Sequence, residues 1–201
     1  NKLKPHFICK CFRQESADFK MQSNNLKMLI LGGRGMVGSN LYDYLSKRFV
    51  VKFTHRRKNT AIAEASSTYF WNADETDLAS LDSILNHFKP KILINCIGIT
   101  KQISDRANID ETIYINSILP HKLARLSLKK KFKLIHFSTD CVYSGAKGSY
   151  REEDNTDPSD FYGKSKSLSE DIGEDALVIR KSTVGLELEN PHGLIEWWLK
   201  S

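Results

Sequence analysis

Apolar and polar positions along the chain alternate between two patterns. Short apolar runs read as buried strands. Longer stretches with apolar residues three and four apart read as helices. Lys27-Met28-Leu29-Ile30-Leu31 is the first run, and it ends in glycines. Met36 to Lys47 carries Val37, Leu41, Tyr44 and Leu45 at helical spacing. Phe49 to Thr54 predicts a second strand and Thr68-Tyr69-Phe70-Trp71 a third. The stripe Leu78, Leu81, Ile84, Leu85, Phe88 predicts a helix that stops before Pro90. Lys91 to Ile97 predicts a fourth strand, Asp110 to Lys130 a long helix, and Phe132 to Phe137 a fifth strand. Phe161 to Gly173 reads as a further helix and Ala176 to Arg180 as a sixth strand. Strands and helices alternating at this spacing argue for an α/β fold: a doubly wound parallel sheet of the Rossmann type, covered on both faces.

Residues Asn1 to Asn25 show no sustained period and are expected to be a poorly ordered extension. The sheet domain is expected over residues 26–185. The first residue is Asn rather than Met, and Glu196-Trp197-Trp198-Leu199-Lys200-Ser201 reads as a helix cut short. Residues 186–201 are therefore expected to begin an incomplete C-terminal substrate part.

Composition narrows the function classes. Charged residues are 27% and hydrophobic residues 40% of the 201, ordinary values for a soluble globular chain. No run approaches the roughly 18 apolar residues of a membrane helix, so no membrane partner is expected. The net charge of +6 is scattered apart from Arg56-Arg57-Lys58 and Lys129-Lys130-Lys131. The second triplet suits a helix C-terminus, so nucleic acid is not an expected partner. Cys9-x-Cys11 lacks a second pair at zinc spacing, and no metal site is expected. Four cysteines are too few for a disulfide scaffold, and Cys96 and Cys141 read as buried thiols. A cytoplasmic location follows as the expectation.

Candidate chemistry begins directly after the first strand. Gly32-Gly33-Arg34-Gly35-Met36-Val37-Gly38 satisfies G-x-x-G-x-x-G through Gly32, Gly35 and Gly38, and G-x-G-x-x-G through Gly33, Gly35 and Gly38. Between a strand and a helix, such a loop brings a dinucleotide pyrophosphate onto the helix N-terminus. An NAD site usually places Asp or Glu at the end of the second strand. Here that place holds Thr54-His55-Arg56-Arg57-Lys58. Arg56 and Arg57 suit a ribose 2′-phosphate, so NADPH is the expected cofactor and NADH the alternative.

The fifth strand ends in His136-Phe137-Ser138-Thr139-Asp140, which puts hydroxyls where ligands bind in an open sheet. His136, inside the strand, reads as a structural core group. Downstream lies Tyr162-Gly163-Lys164-Ser165-Lys166. Tyr162 and Lys166, four apart, share a helix face. A neighbouring ammonium lowers a phenol's pKa and fits it for proton transfer. Thr139 could bond the same substrate oxygen.

These residues together resemble the extended short-chain dehydrogenase/reductases, and within them the dTDP-4-dehydrorhamnose reductase-like group. The resemblance runs from about Lys27 to Lys200. It is carried by Gly32-x-x-Gly35-x-x-Gly38, Asp74-Glu75-Thr76-Asp77, Asn95-Cys96-Ile97-Gly98, Ser138 to Gly145, Gly148 to Asp154 with Pro158, and Tyr162-Gly163-Lys164-Ser165-Lys166. It implies that Tyr162 is the catalytic acid. It implies that Lys166 binds the nicotinamide ribose and lowers the Tyr162 pKa, and that Thr139 orients the substrate carbonyl. It implies that Gly32, Gly35, Met36, Val37, Gly38, Asp74, Cys96, Ile97 and Gly98 line the cofactor, and that Asn116 supports the site. The function so implied is reduction of a nucleotide-linked 4-keto-6-deoxy sugar in polysaccharide-precursor biosynthesis, with a nucleotide-sugar as partner and a homodimer left open. Cys141 stands where many members have a bulky aromatic, and Arg180 to Gly185 lacks a tryptophan common among rhamnose-forming members. An epimerase on the same fold and a non-catalytic NADP-binding regulatory subunit stay open. Cys141 in place of a glutamate after Asp140 argues against a dehydratase.

Overall fold

The computed structural model describes residues 25–56, 68–71, 77–101 and 108–183. Arg57, Asp74, nearly all of the expected 1–25 extension and the 186–201 segment lie outside the described residues.

Six strands form one parallel sheet: β1 (Lys27–Leu31), β2 (Val50–His55), β3 (Thr68–Phe70), β4 (Ile92–Asn95), β5 (Lys133–Phe137) and β6 (Ala176–Ile179). Their order is β3-β2-β1-β4-β5-β6. This is the doubly wound order. The chain winds outward in both directions from β1, so the loops after β1 and β4 part and leave a crevice at the carboxyl edge. Leu29, Ile30 and Leu31 are fully buried, which explains the unbroken apolar run: both faces of the sheet are covered. One face packs Leu29, Leu31, Leu93 and Leu134 into a core with Leu81, Leu85, Leu119 and Leu123. The other packs Met28, Ile30, Val51 and Ile94 against Leu41, Tyr42 and Leu45.

The helices are α1 (Met36–Leu45), α2 (Leu78–Phe88), α3 (Ile109–Ile113), α4 (Leu119–Lys130) and α5 (Phe161–Ser167). In α2 the stripe Leu81, Ile84, Leu85, Phe88 is buried as its spacing predicts. Lys89 ends the helix in a left-handed conformation, φ 53°, before Pro90.

Two helices differ from expectation. The long helix of Asp110 to Lys130 is broken by a π-helical turn, Tyr114–Ile118, between α3 and α4. Pro120 brings no N–H to the Asn116 carbonyl, and its ring crowds that oxygen, so the preceding turn widens. The widened turn presents Asn116 and Ser117 to α5. The helix expected to reach Gly173 ends at Ser167. Beyond it the Ser169 hydroxyl bonds back to the Lys166 carbonyl at 2.7 Å, and His121 meets the Leu168 carbonyl at 2.8 Å. These bonds compete with the helical ladder. Among the described residues, no helix is long and apolar enough to cross a membrane.

Candidate active site

The glycine loop is shaped by close approach. Gly32 sits at φ +77°, and a Cβ there would meet Ile97 Cγ1 at 3.0 Å. A Cβ on Gly38 would lie 2.3 Å from the Gly32 carbonyl oxygen, so α1 can press on the loop only with glycine there. Gly32 N–H donates to Thr54 Oγ1 at 3.2 Å and Gly33 N–H to the Thr54 carbonyl at 2.9 Å. These bonds tie the loop to the end of β2, two residues before the exposed Arg56. Gly35 caps α1 in extended backbone with no side-chain cap. The N–H groups of the first turn therefore face outward as donors to an anion. Gly35 itself is exposed, and a Cβ there would meet only the Gly32 oxygen at 3.5 Å. The loop thus fits a phosphate-bearing ligand. Cys96, Ile97 and Gly98 follow β4 across the crevice. Cys96 N–H donates to the Leu31 carbonyl at 3.0 Å, and burial pushes the Cys96 thiol up to about 12. Such a thiol is inert near neutral pH.

The strand-end hydroxyl and the tyrosine come together. Thr139 follows β5, accepts from Cys141 N–H at 3.2 Å and donates to Asp140 Oδ1 at 3.1 Å. The same hydroxyl lies beside Tyr162 and acts to lower its pKa. The contact depends on Gly163, since a Cβ there would lie 2.2 Å from the Cys141 carbonyl oxygen. Asp160 fixes the start of α5 by accepting from Gly163 N–H at 2.7 Å, and Lys101 holds the same carboxylate at 2.7 Å.

The electrostatics of Tyr162 depart from expectation. Its pKa is raised, chiefly by burial, with Cys141, Asp140 and Asp160 adding to the rise and the Thr139 hydroxyl opposing it. Lys166, expected to lower it, is not among the causes. The Lys166 ammonium, 4% exposed, donates instead to the Phe137 carbonyl at 2.7 Å, and burial brings its pKa down to about 8. Both shifts have one origin, the cost of charge in a poorly solvated place. The result is a tyrosine held as a phenol, which is the proton-bearing form.

Sequence reasoning missed the frame behind these groups. Asn116, expected only to support the site, makes three bonds. Its Oδ1 accepts from Ile99 N–H at 2.9 Å, and its Nδ2 donates to the Ile99 carbonyl and to Ser165 Oγ, both at 3.0 Å. Ser165 Oγ in turn donates to the Tyr162 carbonyl at 2.8 Å. At the rim, Arg180 grips Glu170 through Nε at 3.0 Å and Nη2 at 2.8 Å, stacks 5.1 Å over the Tyr143 ring and bonds its hydroxyl. Ser138 donates to Glu170 at 2.5 Å. The small residues of Gly163-Lys164-Ser165 were the available signal, since small side chains let α5 approach its neighbours closely.

A parallel sheet in this winding order, with a glycine loop and a Thr-Tyr-Lys group along one edge, defines a Rossmann-type dinucleotide-fold protein. The chain matches the RmlD substrate binding domain over residues 26–190 and belongs to that family, within the extended short-chain dehydrogenase/reductases. It is 30% identical over 166 residues to the spore coat polysaccharide biosynthesis protein SpsK of Bacillus subtilis, covering 79% of this chain and 53% of that protein. It is 28% identical over 145 residues to a dTDP-4-dehydrorhamnose reductase of Aggregatibacter actinomycetemcomitans, covering 72% of this chain and 45% of that one. A crystal structure of a hypothetical dTDP-4-dehydrorhamnose reductase from Sulfolobus tokodaii superposes with a TM-score of 0.67 at 28% identity, over 80% of this chain and 57% of that one. The Bacillus anthracis dTDP-4-dehydrorhamnose reductase in complex with NADP shares the fold, with a TM-score of 0.66 at 21% identity over 88% of this chain and 59% of that one. The chain spans about half the length of the curated relatives it matches.

Proposed function

We propose that this chain carries the cofactor crevice and proton-donating group of an NADPH-dependent reductase of a nucleotide-linked 4-keto-6-deoxy sugar. The observation that carries the reading is Tyr162, held as a phenol against the Thr139 hydroxyl, on the same sheet edge as the glycine loop. Gly32, Gly35, Met36, Val37 and Gly38 would hold the pyrophosphate, and Cys96, Ile97 and Gly98 the cofactor's inner side. Arg56, with Arg57 and Asp74, would hold the adenosine end. A bound nicotinamide dinucleotide supplies a hydride to the carbonyl carbon. Thr139 and Tyr162 present their hydroxyls to the carbonyl oxygen, and Tyr162 gives that oxygen its proton. A raised pKa suits this direction, since a general acid must arrive protonated. Lys166 is charged below about pH 8; it would hold the nicotinamide ribose and balance the phenolate left on Tyr162. The partners in this reading are a nucleotide-sugar and a second copy of the chain, and the compartment is the cytoplasm.

The test is NADPH oxidation by the full-length protein with dTDP-4-keto-6-deoxy sugar, read beside Tyr162→Phe. Turnover by the native sequence and its loss in the variant support the reading. Turnover without added cofactor, from tightly kept NAD, would turn it toward an epimerase. Turnover undiminished in Tyr162→Phe would refute the role given to the tyrosine.

A further inference from the structure

Behind Lys166 lies a buried histidine that the mechanism above does not use. We propose that His136, in its Nε2–H tautomer, is a positioning residue for Lys166, acting through Ser169. The inference rests on the reading that Lys166 holds the cofactor.

The tautomer follows from donors and acceptors. Asn95 Oδ1 accepts from Ile97 N–H at 3.2 Å, which fixes the amide orientation. Its Nδ2 therefore faces the ring, 3.1 Å from His136 Nδ1. An amide nitrogen only donates, so Nδ1 accepts and the proton sits on Nε2. Nε2 lies 3.0 Å from Ser169 Oγ and donates to it. The Ser169 hydroxyl donates in turn to the Lys166 carbonyl at 2.7 Å. Each group thus donates one hydrogen bond forward, from the loop after β4 to the backbone of the lysine. Lys166 Nζ approaches Nε2 to 3.4 Å, but Nε2 already carries hydrogen, so the ammonium turns to the Phe137 carbonyl. It keeps two further donors for a ligand.

The ring is fully buried, and burial holds its pKa down to about 2. The titratable groups facing it are basic: Lys166 from α5 and His121 from α4. Lys166 in turn faces Glu170, whose charge favours its ammonium, and Lys181, whose charge opposes it. A protonated His136 would set a second cation beside Lys166. The neutral tautomer avoids that repulsion and still supplies a donor.

Three variants separate positioning from packing: Ser169→Ala, His136→Asn, which keeps an acceptor near Nδ1 but loses the donor to Ser169, and His136→Gln, which restores a donor near Nε2. Each is titrated with NADPH and with 2′,5′-ADP, which lacks the nicotinamide ribose. Ser169→Ala and His136→Asn should weaken NADPH about tenfold, the scale of one lost hydrogen bond, and leave 2′,5′-ADP unchanged. Their combination should cost little more than either alone, and His136→Gln should recover most of the loss. Equal losses for both ligands, additive effects, or an unaffected His136→Asn would overturn the proposal. Nitrogen NMR of the native chain adds a test that needs no variant. It should show His136 neutral and Nε2-protonated from about pH 5 to about pH 9, where a free imidazole would titrate. An Nδ1–H or charged ring would overturn the proposal. A native chain that binds neither ligand would refute the nucleotide reading instead, and the tautomer would still decide the relay.

Discussion

Tyr162, Thr139 and Lys166 show how far residue spacing reaches. The four-residue spacing of Tyr162 and Lys166 and the strand-end place of Thr139 were legible. The sense of the Tyr162 shift was not, because it comes chiefly from burial, with the charges of Cys141, Asp140 and Asp160 adding to it, and spacing does not reveal burial. Tyr162→Phe keeps the ring and removes the proton, and turnover should fall about 10²-fold or more with NADPH affinity little changed. Lys166 adds a pH signature. Its pKa is lowered to about 8, so it is charged below that value and neutral above it. NADPH affinity, measured by fluorescence titration, should decline as pH rises through about 8, and this decline should vanish in Lys166→Met. At the adenosine end, Arg56→Ala with Arg57→Ala should weaken NADPH and spare NADH, because only the former carries the 2′-phosphate an arginine pairs with. Equal loss of both cofactors would remove the arginines from that role.

Elements place these residues, and here the sequence was legible in outline. The strands lie within a residue or two of their apolar runs because burial on both faces demands continuous hydrophobicity, as in Leu29-Ile30-Leu31. The π turn at Tyr114–Ile118 escaped notice because helical periodicity runs through it and only Pro120 marks it. The early end of α5 escaped notice because its cause, the bonds of Ser169 with His136 and of Leu168 with His121, is tertiary. Gly163 is the joint between α5 and the Thr139–Cys141 turn. Gly163→Ala must move that turn or the helix, since its Cβ would overlap the Cys141 carbonyl and crowd Pro158 at 2.9 Å. Turnover should drop sharply while NADPH still binds; unchanged turnover would mean that α5 need not touch the turn.

At the scale of the whole molecule, the site costs stability. A lysine whose pKa falls from 10.5 unfolded to about 8 folded binds its proton more weakly in the native state. Between those values the unfolded chain holds the extra proton, so stability rises with pH across the interval and is lowest below about 8. Lys166→Met should therefore raise the urea midpoint at neutral pH, by up to about 3 kcal/mol in free energy, less the lost bond to Phe137. The advantage should shrink as pH approaches the unfolded value. A variant less stable at neutral pH would show that the bond outweighs the burial of charge.

In the proposed function, the carboxyl edge of this sheet, between the loops after β1 and β4, is a nicotinamide-dinucleotide crevice ending at Tyr162. Amide NMR during titration with NADPH is the deciding measurement. The opposite edge serves as an internal control, because a groove of about 550 Å³ lined by Leu26, Lys91, Ile92 and Phe132 lies there among the strand starts. Saturable shifts at Gly32 to Gly38, at Ile97 and Gly98 and around Tyr162, with the opposite edge silent, are the predicted result. Shifts confined to the opposite groove, or none at millimolar NADPH, would show that this edge is not the cofactor crevice.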